Sequence, residues 1–197
     1  VLGGVDAGAL SDFIRAAYQM AHAVPASEFV ERAFGLLHGL IEFDSAMWGE
    51  GSHDASRPVV MNTVTVHAQP PEMMRNYARF QSRDFFAAAC MGRPRETISL
   101  YDLIPRREFV RLAVYRHHAR LFGIEQILAT TLPDERTGLL GFLVLWRRDP
   151  ARDWTERDRA IKQHVSPHLI EARRINLSLE LRERMAGRRP TSEGLAA

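Results

Sequence analysis

GLLGFLVLWRRDPARDWTERDRAIKQHVSPHLIEARRINLSLEL, residues 138–181, holds a strand, a turn, a capped helix start and a long helix in one segment. Residues 139–146 are almost wholly apolar and read as a buried strand, too short to span a membrane. Asp149-Pro150 marks the turn. Thr155-Glu156-Arg157-Asp158 fits a capping box, in which Thr155 and Asp158 satisfy backbone donors at a helix start. Ile161, Val165, His168, Ala172, Ile175 and Leu179 then recur at alternating spacings of four and three. That spacing puts them on one helix face and predicts a homodimer seam, with Pro167 kinking the helix near its midpoint as a hinge.

Working outward, apolar residues at 10, 13, 14, 17, 18 and 21 form a helical stripe that Pro25 ends. Ser27 is placed to cap a second helix carrying Phe29, Val30, Ala33, Phe34, Leu37, Leu40 and Ile41. Residues 43–50 and 59–67 read as strands separated by a Gly/Ser/Asp loop. Pro70-Pro71 opens a third helix through Phe80, and Asp84 caps a fourth at 85–91. Residues 99–103 form a short strand, and 105–122 a helix in two pieces that Gly123 terminates. Residues 126–132 and 139–146 pair as a hairpin. The last helix runs from 156 to 185, and residues 186–197 are a Gly/Arg/Pro/Ser tail with little to pack. Hairpins joined by helical excursions predict an α+β domain over residues 1–185, a central antiparallel sheet flanked by helices.

The glycine-punctuated strand from Gly141 to Arg147, the aromatic-Thr-Glu-x-Asp start at Trp154 to Asp158, and Pro167-His168-Leu169 followed by Ala172 together resemble one family. It is the GAF-like sensor domain that precedes the DNA-binding helix-turn-helix in a group of LuxR-type bacterial transcription regulators. Tyr115 and Gly123 match a tyrosine and glycine of a helix–turn–strand passage in that group. The resemblance covers residues 44–181 and implies a GAF-like fold, a small-molecule ligand and a role in transcription regulation. It also implies a DNA-binding module that this sequence does not contain, with residues 186–197 as the linker toward it. In the autoinducer-binding domains of LuxR-type regulators, a tryptophan, a tyrosine and a later aspartate on and after the third helix mark the ligand site. Here Tyr77 fits the tyrosine, Met73 stands at the tryptophan position, and Asp84 follows Tyr77 by seven residues with Phe85 after it. That departure counts against an acyl-homoserine lactone.

Composition narrows the chemistry. The 197 residues are 46% apolar and 25% charged, an ordinary globular mixture. The net charge is +2, and the basic residues, all arginine except Lys162, are spread as solvated helix faces rather than a phosphate track. One cysteine, Cys90, and the lack of a secretory pattern predict a cytoplasmic protein. No phosphate-cradling glycine motif, CxxC or HExxH is present. His117 and His118 point apart on a helix; His164 and His168 share a face but lack a third ligand, so neither metal nor cofactor is expected. Cys90 has no flanking nucleophile motif.

What remains is an aromatic inventory between the sheet and the middle helices. Trp48, Tyr77, Phe80, Phe85, Tyr101 and Tyr115, with Phe86, Phe122 and Trp146 in the same inventory, suit a site for a partly apolar ligand, with Asn62, His118 and Thr130 as polar partners. The expected function is a ligand-sensing, dimerising domain of a transcription regulator. A ligand-free dimerisation module with core aromatics, and a small cofactor-free enzyme on the same fold, are the alternatives.

Overall fold

The computed structural model describes residues 6–52, 60–135 and 137–187. Strands β1 (Ser45–Ser52), β2 (Val60–His67), β3 (Thr97–Ser99), β4 (Gln126–Asp134) and β5 (Leu139–Arg147) form one antiparallel sheet in the order β2-β1-β5-β4-β3. The β4–β5 hairpin is the one expected from sequence; Asp134 pairs with Leu139, and Gly138 takes a positive φ of 68° in the turn. The β1–β2 register shifts between Glu50 and Gly51, which leaves Asn62 without a residue opposite it.

Helices α1 (Ala7–Ala23), α2 (Ala26–His38) and the long α7 (Glu156–Gly187) cover one sheet face. The other carries α3 (Glu72–Tyr77), α4 (Phe85–Gly92), α5 (Arg106–Phe109) and α6 (Ala113–His117), joined by turns. Side chains alternate across the pleat, so each strand feeds two separate cores. Trp48, Leu128, Leu143 and Leu145 meet Phe29, Phe34, Val165 and Leu169 on the α1/α2/α7 side. Ala129, Phe142, Val144 and Trp146 meet Met73, Phe86, Phe109 and Tyr115 on the other. The α+β plan with flanking helices and a long C-terminal helix is therefore as expected. The tail from 188 onward lies outside the described residues.

Three local expectations need correction. Ser27 does not cap α2; Pro25 occupies the N-cap and no side chain bonds there. The expected strand at 99–103 is Thr97–Ser99 plus a single turn, Leu100–Asp102, held by a capping box in which Ser99 N donates to Asp102 at 3.0 Å. The expected helix at 105–122 is α5, α6 and a further turn, Ala119–Phe122, closed by Gly123 in the left-handed conformation with φ 64°.

The homodimer seam needs a larger correction. Ile161, Val165 and Ala172 are fully buried, and Ile175 packs against the same core, because the chain's own α1 and α2 cover this face. Asn176 Nδ2 donates to Ala21 O at 3.1 Å and Val24 O at 2.7 Å, fastening α7 to the end of α1. His168 meets the Tyr18 hydroxyl at 3.4 Å. The seam spacing signalled a helical partner, and for Ile161, Val165, His168, Ala172 and Ile175 that partner is intramolecular. α7 also continues as one helix through Pro167, which is exposed. On its outer end Leu177, Leu181 and Met185 are 38%, 59% and 64% exposed.

Candidate functional site

Between the sheet and the short middle helices lies a cavity of about 590 Å³. The sheet supplies Met47, Ala129, Thr131, Phe142, Val144 and Trp146 as its floor. Met73, Met74, Tyr77, Phe85, Phe86, Cys90, Phe109 and His118 come from the helical side. Short helices and turns make up this cover, whereas the opposite face carries three longer helices. Gly49 shapes the floor: a Cβ there would come within 2.7 Å of the Phe142 ring and of Thr63 O, so only glycine lets that ring lie across β1. The wall is apolar and rich in methionine, a side chain that adapts its shape to what it contacts.

Polar groups gather on the helical side. The Tyr77 hydroxyl donates to Asp84 Oδ2 at 2.6 Å. Asp84 Oδ1 accepts from Phe86 N at 2.9 Å and Ala87 N at 3.0 Å, so the same carboxylate caps α4, as expected from sequence. Burial, then the neighbouring Asp84 charge, push the Tyr77 phenol far above its ordinary range. His118 Nδ1 lies 2.9 Å from Asn76 Oδ1, and burial lowers the pKa of its ring. The rings of Tyr77, Phe80 and Phe122 surround it at centroid distances of 5.4, 6.2 and 5.2 Å. Burial pushes the Cys90 thiol up to about 12, which keeps it protonated and a poor nucleophile. Thr131 Oγ1 donates to Cys90 O at 2.8 Å.

Of the residues singled out in the sequence, Tyr77, Phe85 and His118 line this cavity. Phe80 stands behind His118. Trp48 faces the opposite core, edge-on to Phe29 and Phe34. Thr130 lies on that side too, accepting from Lys162 Nζ at 2.7 Å. Asn62 is exposed at the strand irregularity. Tyr101 donates to Glu125 O at 2.6 Å and borders a separate polar hollow with Asp102, Arg106 and Arg159. Tyr115 is buried, with its hydroxyl donating to Glu125 Oε1 at 2.7 Å. Phe86 and Trp146 of the aromatic inventory line the cavity as well, as do Met73 and Asp84, which the sequence marked only by comparison with the family's ligand site; the residues missed are Met47, Ala129, Phe142 and Val144 of the floor. The signal for the floor was strand parity: Phe142, Val144 and Trp146 alternate with Leu143 and Leu145.

Among the described residues no group of three His, Cys, Asp or Glu side chains is placed to hold a metal. No helix among them is long and apolar enough to cross a membrane.

No family model matches the sequence, and the curated proteins give no match either. Solved structures do resemble it. CepR2 of Burkholderia cenocepacia, an N-acylhomoserine lactone dependent LuxR family transcription factor, superposes with a TM-score of 0.60 at 17% identity, over 88% of this chain and 98% of that one. The VqsR LBD domain of Pseudomonas aeruginosa gives 0.57 at 13% identity, over 89% and 98%. SdiA, known from Escherichia coli, gives 0.60 at 15% identity in its complex with octanoyl-rac-glycerol, over 86% of this chain and 66% of that one. The chain has the fold of the N-terminal ligand-binding domains of LuxR-type transcription regulators.

Proposed function

We propose that this chain is the ligand-sensing domain of a LuxR-type transcription regulator, acting in the cytoplasm upstream of a helix-turn-helix module. The observation that carries the reading is the cavity: about 590 Å³, apolar over most of its wall, with Tyr77, Asp84 and His118 at one side. Volumes of this order suit a single small molecule, and a mostly apolar wall with few polar groups is the usual form of such a site. The ligand is an uncharged molecule with a long apolar body and a compact polar head. Acylated compounds of the kind named for CepR2 and SdiA meet that description. Met73 in place of the family's tryptophan argues against the lactone head itself.

Binding would fix the α3–α6 layer against the sheet and favour one arrangement of the domain over another, which is how a ligand can change a regulator's state. The domain pairs through the outer end of α7, where Leu177, Leu181 and Met185 repeat every four residues and stay exposed. Residues 188–197 would link it onward to the DNA-binding module.

A panel of neutral amphiphiles tested by thermal shift examines the sensing role. A binder of the native state raises the midpoint with concentration. Absence of any response across the panel, with Trp146 fluorescence also unchanged, would remove the ligand-sensing reading. Cofactor-free catalysis through Cys90 is disfavoured by its protonated, buried thiol.

A further inference from the structure

His118 has two ring nitrogens with different surroundings. The residue is 5% exposed and lines the cavity. Its Nδ1 lies 2.9 Å from Asn76 Oδ1. With the Asn76 amide oxygen turned toward it, Nδ1 is the donor and carries the hydrogen. In a neutral imidazole Nε2 is then left with a lone pair alone. Burial keeps the ring neutral, outweighing the opposite pull of Asp84. Nε2 has no hydrogen-bond partner among the described residues. It is not sealed away either, unlike the buried and unpartnered Trp154 Nε1 and Gln126 Oε1. Three aromatic rings hold the imidazole in place.

Of the other polar groups, Tyr77 and Asp84 are spent or accepting, while the half-buried Gln81 and the exposed Ser82 also line the cavity. Tyr77 gives its one proton to Asp84, and Asp84 is an acceptor whose oxygens already take that hydroxyl and two backbone amides. An anionic head would find two acceptors and the charge of Asp84, with no lysine or arginine among the residues that line the cavity to neutralise it.

We infer that His118 Nε2 is a hydrogen-bond acceptor that selects, within the proposed ligand site, molecules carrying an uncharged donor, a hydroxyl or an N–H, at the end of an apolar body. This rests on the cavity being a ligand site. Asn76 is the positioning residue: it fixes which nitrogen is the acceptor. A ligand lacking the donor would bury Nε2 unpaired and lose affinity accordingly.

Three probes of nearly equal size separate the possibilities: n-decanol, methyl nonyl ether and decanoate. In the wild-type protein n-decanol should bind roughly threefold to tenfold more tightly than the ether, the worth of one neutral hydrogen bond, and decanoate most weakly. His118→Leu should remove the alcohol's advantage and leave ether binding in place, while His118→Gln, which restores an acceptor oxygen, should recover part of it. Nitrogen-15 histidine spectra of the unmodified protein give a readout free of folding effects. They should show the Nδ1–H tautomer for His118 and a shift at Nε2 when n-decanol is added. Equal binding of alcohol and ether, an Nε2–H tautomer, or an alcohol preference that survives His118→Leu would overturn the assignment; the last would move selection to Asp84. If none of the three probes binds, the ligand-site reading itself fails, and this inference with it.

Discussion

Lys162, the single lysine of the chain, is fully buried on α7, with Nζ donating to Thr130 Oγ1 and Leu143 O, each at 2.7 Å. No carboxylate among the described residues pairs with it, and burial holds its pKa well below the ordinary lysine range. In the unfolded chain this amine keeps its proton up to about pH 10.4; in the folded chain it releases the proton at a lower pH. Between those two values the unfolded state binds more protons. Stability should therefore rise with pH across that window, by at most about 1.4 kcal/mol per unit, and fall as the pH drops through the folded value. Lys162→Met keeps the volume and removes the titration. Urea unfolding from about pH 6 to about pH 10 should show the wild-type slope flattened in the variant, with stability at neutral pH raised by about 1–2 kcal/mol. An identical slope in both proteins would mean that Lys162 is charged in the fold. Gly49 is the second residue whose identity follows from a contact. Gly49→Ala should lower stability by about 1–3 kcal/mol through its collision with Phe142 and Thr63 O, measurable as a lower urea midpoint. Neither role was legible in sequence. The partners of Lys162 lie on β4 and β5, and nothing local announces that Tyr115 will bond Glu125 or that Trp48 faces away from Tyr77.

The start of α7 shows how far local chemistry carries at the level of an element. Both hydrogen bonds of the expected capping box are present: Thr155 N donates to Asp158 Oδ2 at 3.0 Å, and Asp158 N to Thr155 Oγ1 at 3.1 Å. Asp158 has a second task, which the local pattern could not show. It accepts from buried Arg147 at 3.2 Å, while Arg147 also donates to Glu42 O and Asp153 O, each at 2.9 Å, and stacks 3.8 Å above the Trp154 ring. Strand β5 is thus locked to the first turn of α7. Thr155→Ala should cost about 1 kcal/mol, the value of an N-cap. Asp158→Ala should cost about 3–5 kcal/mol, because it leaves a buried guanidinium without its counter-charge. Equal losses for the two variants, measured by urea denaturation, would show that Arg147 needs no counter-ion there. The seam of α7 was legible as a buried face but not its occupant, since α1 and a second chain would impose the same spacing.

Across the whole molecule the sheet separates two unlike halves, and neighbouring strand residues should report on them with opposite results. Leu128 is fully buried on the side packed by α1, α2 and α7, while Ala129 points to the cavity. Leu128→Ala removes methyl groups from a filled core, where the surroundings relax only partly. It should lower stability by about 2–5 kcal/mol and leave any ligand response in place. Ala129→Phe adds volume where the fold already has empty space. It should hold or raise the ligand-free stability by about 0.5–2 kcal/mol, as cavity-filling changes do, and abolish the midpoint rise produced by n-decanol. Overpacking predicts a different result, a loss of about 1–3 kcal/mol, if the space between sheet and α3–α6 is closed in solution. Thermal unfolding of both variants with and without the alcohol therefore tests the division itself. A stabilised, unresponsive Ala129→Phe beside a destabilised, responsive Leu128→Ala is what a rigid three-helix core carrying an adaptable binding layer requires.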